Sequence, residues 1–360
     1  MKTMRIVTVV CWVVAALALI GLATWFLVGN VLGINRGGLL NGITIGFNSE
    51  TLAGPFEVVA EYSVPGGGID SLQIDWVAGE ITISPYDGDE FQIREMAQRE
   101  LRDDENLQIS TSGATLTIKY SERSISNMPI KRLEVLVPST FSANADTLRV
   151  DSSSASISVS EINAGSVRAD SVSGAVQLSE INARALTSRT TSGSITIAST
   201  SADDMSLGSI SGAIRTSEIA AKTLKCSTTS GSINLSGSFD QSDIESISGR
   251  IMVDNTTPNA TAKASTTSGA IEFSGSFASV NLGSTAGRIS ISSEVVPADL
   301  KISTTSGSVT VTVPDGESIY VNHSSVSGRF SSDVPVIMQN NGAQFRISTV
   351  SGSVTINKYN

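Results

Sequence analysis

The side chains able to do acid–base, nucleophilic or metal chemistry are few and far apart in this sequence. His323 is the one histidine in 360 residues, which excludes any mechanism or metal site that needs two imidazoles. It stands five residues before Gly328, at a position that recurs along the chain and elsewhere holds Leu, Ile, Cys or Ala, so we expect a hydrogen-bonded core or edge histidine. Cys226 occupies the same position and is expected to be a small buried hydrophobic residue. Cys11 lies in an apolar N-terminal run, so no disulfide with Cys226 is expected.

The carboxylates are scattered and predict no catalytic pair. A sugar-cleaving enzyme needs acidic residues that converge on one face, often beside a basic residue. Asp103-Asp104 and Asp203-Asp204 instead occupy turn-like positions, where we expect solvated loops. The stretch from Pro65 to Asp70 resembles a calcium-binding nonapeptide, but it occurs once where such sites need tandem copies. The sequence therefore predicts a protein that is not an enzyme and that needs no cofactor or metal.

The composition limits the partners as well as the chemistry. The formal net charge is −10, with 16% charged and 5% aromatic residues. Nucleic acid is therefore not expected as a partner, because binding to phosphates needs clustered Lys and Arg. The abundance of Ser, Thr, Gly and Ala indicates many tight turns and thin, layered packing.

One segment near the start of the sequence is apolar enough and long enough to cross a membrane. Residues from Ile6 to Val28 are almost wholly apolar, which suits a hydrocarbon core of about 30 Å. Lys2 and Arg5 precede this segment and basic residues are sparse after it, so the N-terminus is expected in the cytoplasm and the rest of the chain outside. An uncleaved anchor is favoured over a cleaved signal peptide, because the Ala16-Leu17-Ala18 motif lies in the middle of the run.

Residues 51–146 contain short runs that alternate apolar and polar residues, with the period of two typical of half-buried strands. Leu72-Gln73-Ile74-Asp75-Trp76 is one such run. The stretch from Glu95 to Glu105 has little apolar stripe and predicts a charged hairpin loop rather than a helix. We interpret residues 51–146 as an irregular N-terminal β-region or cap. It follows a cytoplasmic tail and transmembrane anchor at 1–35 and a linker at 36–50.

Residues 147–360 repeat a Ser-Gly turn, and this repetition predicts the fold more strongly than any local signal. The turn glycines recur at a nearly constant spacing, and apolar residues stand two and four positions after them and seven and five before them. Each unit is therefore expected to be two short strands that meet at a turn. The glycine is needed where φ must be positive or where stacked backbones approach closely. The predicted structural turn residues are Gly174, Gly193, Gly212, Gly231, Gly249, Gly269, Gly287, Gly307, Gly328 and Gly352.

Two coil lengths are compatible with this repeat. Thr-Thr-Ser-Gly turns end at Gly193, Gly231, Gly269 and Gly307, which are evenly spaced by two units each, and Ser-x-Ser-Gly turns mostly fall between them. If like turns stack on like, one coil contains two 19-residue units; otherwise each unit is a coil. The alternation favours the 38-residue coil. Either length predicts an all-β, parallel β-helix-like solenoid, with a β-sandwich or a propeller as alternatives.

The turn set resembles that of a bacterial family of candidate adhesins, whose members carry Ser-Gly-x-Ile/Val repeats in a β-solenoid behind an N-terminal membrane helix. The resemblance covers about residues 69 to 360. It includes Val77-Ala78-Gly79-Glu80-Ile81-Thr82-Ile83 and Leu136-Val137-Pro138. It implies a protein of the bacterial cell surface and assigns structural roles to the motif residues.

From these features we expect a single-pass protein of the cell membrane with a non-catalytic, extracytoplasmic binding domain. Its Ser/Thr-rich face would bind a glycan, a wall polymer or another envelope protein through many weak, equivalent contacts. One alternative is an envelope-stress or regulatory module that acts through a partner membrane protein. Another is a purely structural surface protein that associates with itself. If the stretch from Ser331 to Gln344 leaves the last rung uncovered, strand addition by a partner or a second copy is expected.

Overall fold

The computed structural model describes residues 55–121, 129–315, 318–337 and 342–359. Within these ranges the chain forms 25 β-strands, one short helix, α1 (Ser139–Asn144), and a 3-10 turn at Asp103–Glu105. No helix in the described ranges is both long enough and apolar enough to cross a membrane. The expected anchor, Cys11 and the linker lie outside the described residues.

The strands belong to one sheet that winds around a narrow core. Longer strands such as β9 and β16 turn a corner and contribute to two sides of the molecule. The strands are β1 (Glu57–Pro65), β2 (Ser71–Trp76), β3 (Gly79–Tyr86), β4 (Glu90–Ala97), β5 (Gln108–Ser112), β6 (Thr115–Lys119), β7 (Lys131–Pro138), β8 (Ala145–Ser152), β9 (Ser156–Ser171), β10 (Val176–Thr190), β11 (Ile195–Ala198), β12 (Ser201–Ser209), β13 (Ile214–Ser217), β14 (Ile219–Thr228), β15 (Ile233–Ser246), β16 (Ile251–Thr266), β17 (Ile271–Ser284), β18 (Ile289–Ser293), β19 (Asp299–Ser306), β20 (Val309–Val313), β21 (Ile319–Ser327), β22 (Phe330–Ser332), β23 (Val336–Ile337), β24 (Ala343–Ser351) and β25 (Val354–Lys358).

Each unit of the regular repeat forms one complete coil of the solenoid. Ile195 lies in parallel register between Val176 and Ile214, the equivalent residues of the units before and after it. Side-chain hydrogen bonds between adjacent coils likewise join residues that are 19 positions apart in the chain. The 38-residue coil favoured by the turn alternation is therefore wrong. The two turn types stack directly on each other because Ser171 and Thr190 each supply a hydroxyl to the same turn hydrogen bond.

Each coil contributes one strand to a wide face and, after the turn, one strand to a narrow face. The wide face stacks β6, β2, β8, β9, β10, β12, β14, β15, β16, β17, β19, β24 and β21 in that order. Twelve steps of about 4.8 Å place the two ends of this ladder roughly 58 Å apart.

The apolar columns predicted from the repeat face inward from both faces and form one continuous core. On the narrow face the column two residues after the turn glycine is fully buried at Val176, Ile195, Ile214 and Ile233. Because side chains alternate along a strand, the residues between these columns point to solvent and are the Ser, Thr, Asn and charged residues. Burial of β-branched side chains on a pleated, one-sided surface is what stabilises each coil against its neighbours.

At both ends the order of the coils departs from the order of the chain. Strands β2 and β3 lie between the β6–β7 level and the β8–β9 level. Strands β24 and β25 lie between the β19–β20 level and the β21–β22 level. The N-terminal end also carries the antiparallel strands β1, β4 and β5. Pairing of β2 with β8 joins the two regions that the sequence divides at residue 146 into one hydrogen-bonded sheet.

Candidate binding groove

The repeated turn sets the two faces at a fixed angle. In the coil that ends at Gly212, the amide of Gly212 donates to Ser209 Oγ at 2.8 Å, and the same bond recurs from coil to coil. A Cβ on Gly212 would stand 2.5 Å from the carbonyl carbon of Gly193, which belongs to the adjacent coil. Close backbone approach, rather than positive φ, therefore explains the glycine.

A second corner, on the opposite side of each coil, begins the wide face. Non-glycine residues adopt the left-handed conformation there, with φ of 57° at Glu161, 54° at Glu180, 46° at Ser199 and 54° at Glu218. All four side chains are exposed, and Ser199 Oγ donates to Glu218 Oε2 at 2.9 Å. The corner repeats with the period of the coil, so the residues that follow it stack in columns.

A groove follows this corner along the wide face. Its floor is a column of alanines, one on each of five successive levels, at Ala145, Ala164, Ala183, Ala202 and Ala221. A methyl group fills little space, so the column leaves a trough that runs along the stack for roughly 19 Å. One part of the groove has a volume of about 610 Å³ and the adjoining part about 340 Å³.

The walls of the groove are polar. The residue before each floor alanine supplies one wall, which includes Asn163, Asn182 and Ser201. Within this wall, Ser201 Oγ donates to Asn182 Oδ1 at 2.8 Å. The residue after each floor alanine supplies the other wall: Asp146, Gly165, Arg184, Asp203 and Lys222.

One ion pair is present along the second wall. Lys222 Nζ lies 2.7 Å from Asp203 Oδ1, and this hydrogen bond raises the pKa of Lys222. Gly165 leaves room for the guanidinium of Arg184, which would lie 2.8 Å from a Cβ at that position. The wall therefore presents both charges at neighbouring levels.

These side chains can bind a polar, uncharged chain that offers hydroxyl groups. Asn and Ser both donate and accept hydrogen bonds, Asp accepts, and Arg and Lys donate. Successive levels lie about 4.8 Å apart and each carries a part of this set, so one extended ligand can be held at several points. Among the described residues, His, Cys, Asp and Glu form no group of three that could hold a metal ion.

Comparison with known proteins identifies the family. The sequence model of the family described as Toastrack DUF4097 matches residues 69–278 and 273–357, which is most of the chain. The chain belongs to the Toastrack DUF4097 family. The prediction of an all-β repeat fold is confirmed. No curated protein matches the chain.

The solved structures that match this Toastrack chain have low sequence identities and low TM-scores. A candidate adhesin from Parabacteroides distasonis is 11% identical, with a TM-score of 0.40 over 84% of this chain and 97% of that one. A candidate adhesin from Parabacteroides merdae is 11% identical, with a TM-score of 0.35 over 82% and 95%. A candidate lipid-binding protein from Parabacteroides distasonis is 15% identical, with a TM-score of 0.33 over 84% and 96%.

A buried ion pair lies at the N-terminal end of the Toastrack stack, where the sequence predicted a charged loop. Lys131 Nζ lies 2.5 Å from Glu95 Oε1, donates to the carbonyl of Glu105 at 2.7 Å and also donates to the carbonyl of Tyr120. It stands 3.9 Å from the centre of the Tyr120 ring and 4.9 Å from that of Trp76. The loop prediction is wrong at Glu95, which lies in β4 and is fully buried.

The charges around this pair are balanced by hydrogen bonds. Burial lowers the pKa of Lys131, and the carboxylate of Glu95 opposes that effect. Glu105 accepts hydrogen bonds at 2.8 Å from the guanidinium groups of Arg99 and Arg102. Its bond with Arg99 is the main cause that lowers the pKa of Glu105 to about 2. These contacts join β4, the end of β6 and β7, so the role of the buried pair is structural.

The other residues singled out by the sequence have mixed outcomes. Cys226 is buried, as predicted, and burial raises the pKa of its thiol. His323 faces inward at the last level, but its Nε2 has no hydrogen-bond partner among the described residues, and its ring instead stacks on Phe330 at 5.1 Å. Asp203 and Asp204 lie on strand β12, so the loop predicted there is wrong.

The groove itself was not predicted, although the sequence contains its signal. Ala164, Ala183, Ala202 and Ala221 recur with the period of the turn, and asparagines precede two of them at the same spacing. A column of small side chains on a solenoid indicates a groove in its surface. The columns of large apolar residues predict the core, and the alanine column is not needed for that prediction.

Proposed function

We propose that this chain is a membrane-anchored, extracytoplasmic binding protein without catalytic activity, and that its groove binds a glycan or a wall polymer. The observation that carries the proposal is the alanine-floored groove, whose walls carry amide, hydroxyl and charged groups distributed over successive levels. A polymer of hydroxylated units needs such mixed donors and acceptors along its length. Each level contributes a weak contact, and several levels together give useful affinity.

The location is part of the same proposal. The apolar run from Ile6 to Val28, with Lys2 and Arg5 before it, supports an anchor that leaves the groove outside the cell. The experiment is fractionation of cells that express the full chain or a Leu17→Arg/Leu19→Arg variant. We expect the full chain in the membrane fraction and the variant out of it, because each arginine at mid-membrane depth costs about 2.5–3.5 kcal/mol. Equal extraction of both proteins would contradict the anchor.

Binding is tested with the full chain in detergent against arrayed glycans and isolated wall polymers. The Asn163→Ala/Asn182→Ala variant removes two side-chain amides from one wall of the groove. The matched control, Asn234→Ala/Asn281→Ala, removes two exposed asparagine side chains that lie on other levels of the solenoid. We expect the groove variant to weaken binding about ten-fold, which corresponds to roughly 1.4 kcal/mol, and the control to bind as the unchanged protein does.

Two results would contradict a groove that binds polymers. The first is no binding to any glycan or wall polymer by the unchanged chain. The second is equal loss of binding in the groove variant and its control, which would place the contact away from the groove.

A further inference from the structure

The end of the stack away from β1 finishes in an uncovered strand edge. We name the level formed by β21 and β22 the tip coil. On its inner side β21 is fully paired with β24, from Ile319 with Ala343 to Ser327 with Ser351. On its outer side β23 pairs only with Ile319 and Tyr320. Among the described residues, the edge from Val321 to Ser327 has no strand beyond it.

The backbone groups at this edge point outward in a regular pattern. The amide of Ile319 donates to the carbonyl of Pro335, which lies just before β23 on the outer side. Alternate residues of a strand direct their N–H and C=O to the same side, so those of Val321, His323 and Ser325 point outward as well. A second strand placed there would satisfy all of these groups at once.

This edge lacks the features by which proteins normally protect a strand edge. Strand β21 contains no charged residue and no proline, and Val326 is 84% exposed. At the other end, the outermost strand beyond β4, β1, carries Glu57, Glu61 and Pro65 and is interrupted by a bulge, whereas β5, the outermost strand beyond β6, has no charge and no proline but is only five residues long. Charges, proline and bulges are the common means of preventing edge-to-edge pairing. The tip coil therefore presents a longer unprotected edge than the strands at the other end do.

We propose that the tip coil pairs with the tip coil of a second copy of this chain. Residues 318–337 contain one Arg and one Asp, so this end is neutral on a chain whose net charge is −10. Two copies that approach by any acidic surface repel each other, whereas two neutral tips do not. An antiparallel pair of β21 strands is also compatible with two-fold symmetry, the commonest arrangement of homodimers.

One register is self-complementary. With Ser324 at the two-fold axis, Asn322 of each copy lies opposite Val326 of the other and His323 lies opposite Ser325, so the second strand stays on the part of the edge that β23 leaves free. The exposed Val326 then packs against the strand of the second copy instead of facing water. The inward-facing residues of one tip continue the core columns of the other. Two stacks joined in this way would be roughly 120 Å long, with their β1 ends at opposite extremes.

The first test is the molecular mass of the full chain in detergent, by sedimentation velocity from about 1 to 100 µM, the range suited to a small interface. The tip variant is Ser324→Lys/Val326→Lys. Its control is Ser348→Lys/Val350→Lys on β24, where the two positions are also exposed and lie one level further in. We expect dimers in the unchanged chain and in the control, and at least ten-fold weaker association in the tip variant.

Three outcomes would overturn the proposal. Monomers throughout would exclude a second copy as the occupant of the edge. Dimers that persist in the tip variant would place the contact elsewhere, for example in the N-terminal segment. Equal loss of dimers in both variants would mean that added charge, not the edge, controls association.

A second test addresses the register. In a Cys11→Ser background, Asn322→Cys chains are mixed with Val326→Cys chains and oxidised, and we expect a disulfide-linked pair because opposite residues in an antiparallel pair have Cβ atoms about 4.5–5.5 Å apart. Each variant alone should give none, since equivalent positions would be roughly 13 Å apart. Cross-links in the single-variant samples, or none in the mixture, would contradict the register.

Discussion

Replacement of Gly212 by alanine tests the account of the stacked turn most directly. The added Cβ would stand 2.5 Å from the carbonyl carbon of Gly193 and 3.0 Å from Ser209 Oγ. Carbon atoms in contact are normally about 3.5–4.0 Å apart, so the two coils must separate by about 1 Å or more. Overpacking of this kind costs about 1–3 kcal/mol.

The added methyl group also weakens two hydrogen bonds of the turn, one between adjacent coils, which move apart, and one within the coil, whose acceptor Ser209 Oγ it crowds. The amide of Ser211 donates to Thr191 of the adjacent coil at 2.9 Å, and the amide of Gly212 donates to Ser209 Oγ at 2.8 Å. Each such bond contributes about 1 kcal/mol, so the total destabilisation is about 3–5 kcal/mol. For a domain of this size, that corresponds to a Tm lower by about 5–8 °C.

The measurement is thermal unfolding of the full chain in detergent, followed by circular dichroism. Gly208→Ala is the matched control, because it lies four residues earlier and its Cβ would meet its nearest neighbour at 3.7 Å, an ordinary contact. We expect this control within about 0.5 kcal/mol of the unchanged chain, or slightly more stable. If Gly212→Ala unfolds at the same temperature as Gly208→Ala, close backbone approach is not the reason for the glycine column.

Three further predictions concern single side chains. Ser209→Ala leaves a buried turn amide without its acceptor and should cost about 1–2 kcal/mol of unfolding free energy, whereas Ser206→Ala on the same strand should cost less than about 0.5 kcal/mol. The pKa of Glu105, about 2 when folded and 4.5 otherwise, means that its stabilisation is complete above pH 4.5 and is lost as the pH falls through 2. Glu105→Gln should therefore make acid unfolding less steep in that range, and an unchanged slope would contradict this assignment. Because burial raises the pKa of the Cys226 thiol, this thiol should not react with aromatic disulfide reagents until the chain unfolds. The reaction is measured in a Cys11→Ser background, and rapid reaction of the folded chain would contradict the prediction.

The repeat could be predicted from the sequence because the core columns and the turn are local. A glycine with apolar residues two and four positions later defines a strand, a turn and a buried face without reference to any distant residue. The structure agrees with that prediction. Val176 and Ile195 are neighbours in one column, and the hydroxyl of Ser209 accepts a hydrogen bond from the turn amide of Gly212.

The coil length could not be predicted because the alternating turns are chemically equivalent. Ser171 and Thr190 both offer one hydroxyl oxygen to the glycine amide three residues later, so Thr-Thr-Ser-Gly and Ser-x-Ser-Gly stack on each other without cost. The buried pair of Glu95 and Lys131 was missed for a different reason. Its partners are 36 residues apart, and no local pattern marks a charge that will be paired at that distance.

The order of the last levels has a consequence for how the protein is made. Strands β24 and β25 lie beneath the tip coil, although β21 and β22 leave the ribosome first. Until residues 343–358 are synthesised, β21 lacks β24, the strand it pairs with. The last level of the growing stack is then the one formed by β19 and β20. A chain interrupted before residue 343 therefore ends in a different, unfinished rung. The neutral edge of β21 therefore forms only after β24 and β25 have paired with the stack, so association through this edge is restricted to completed chains.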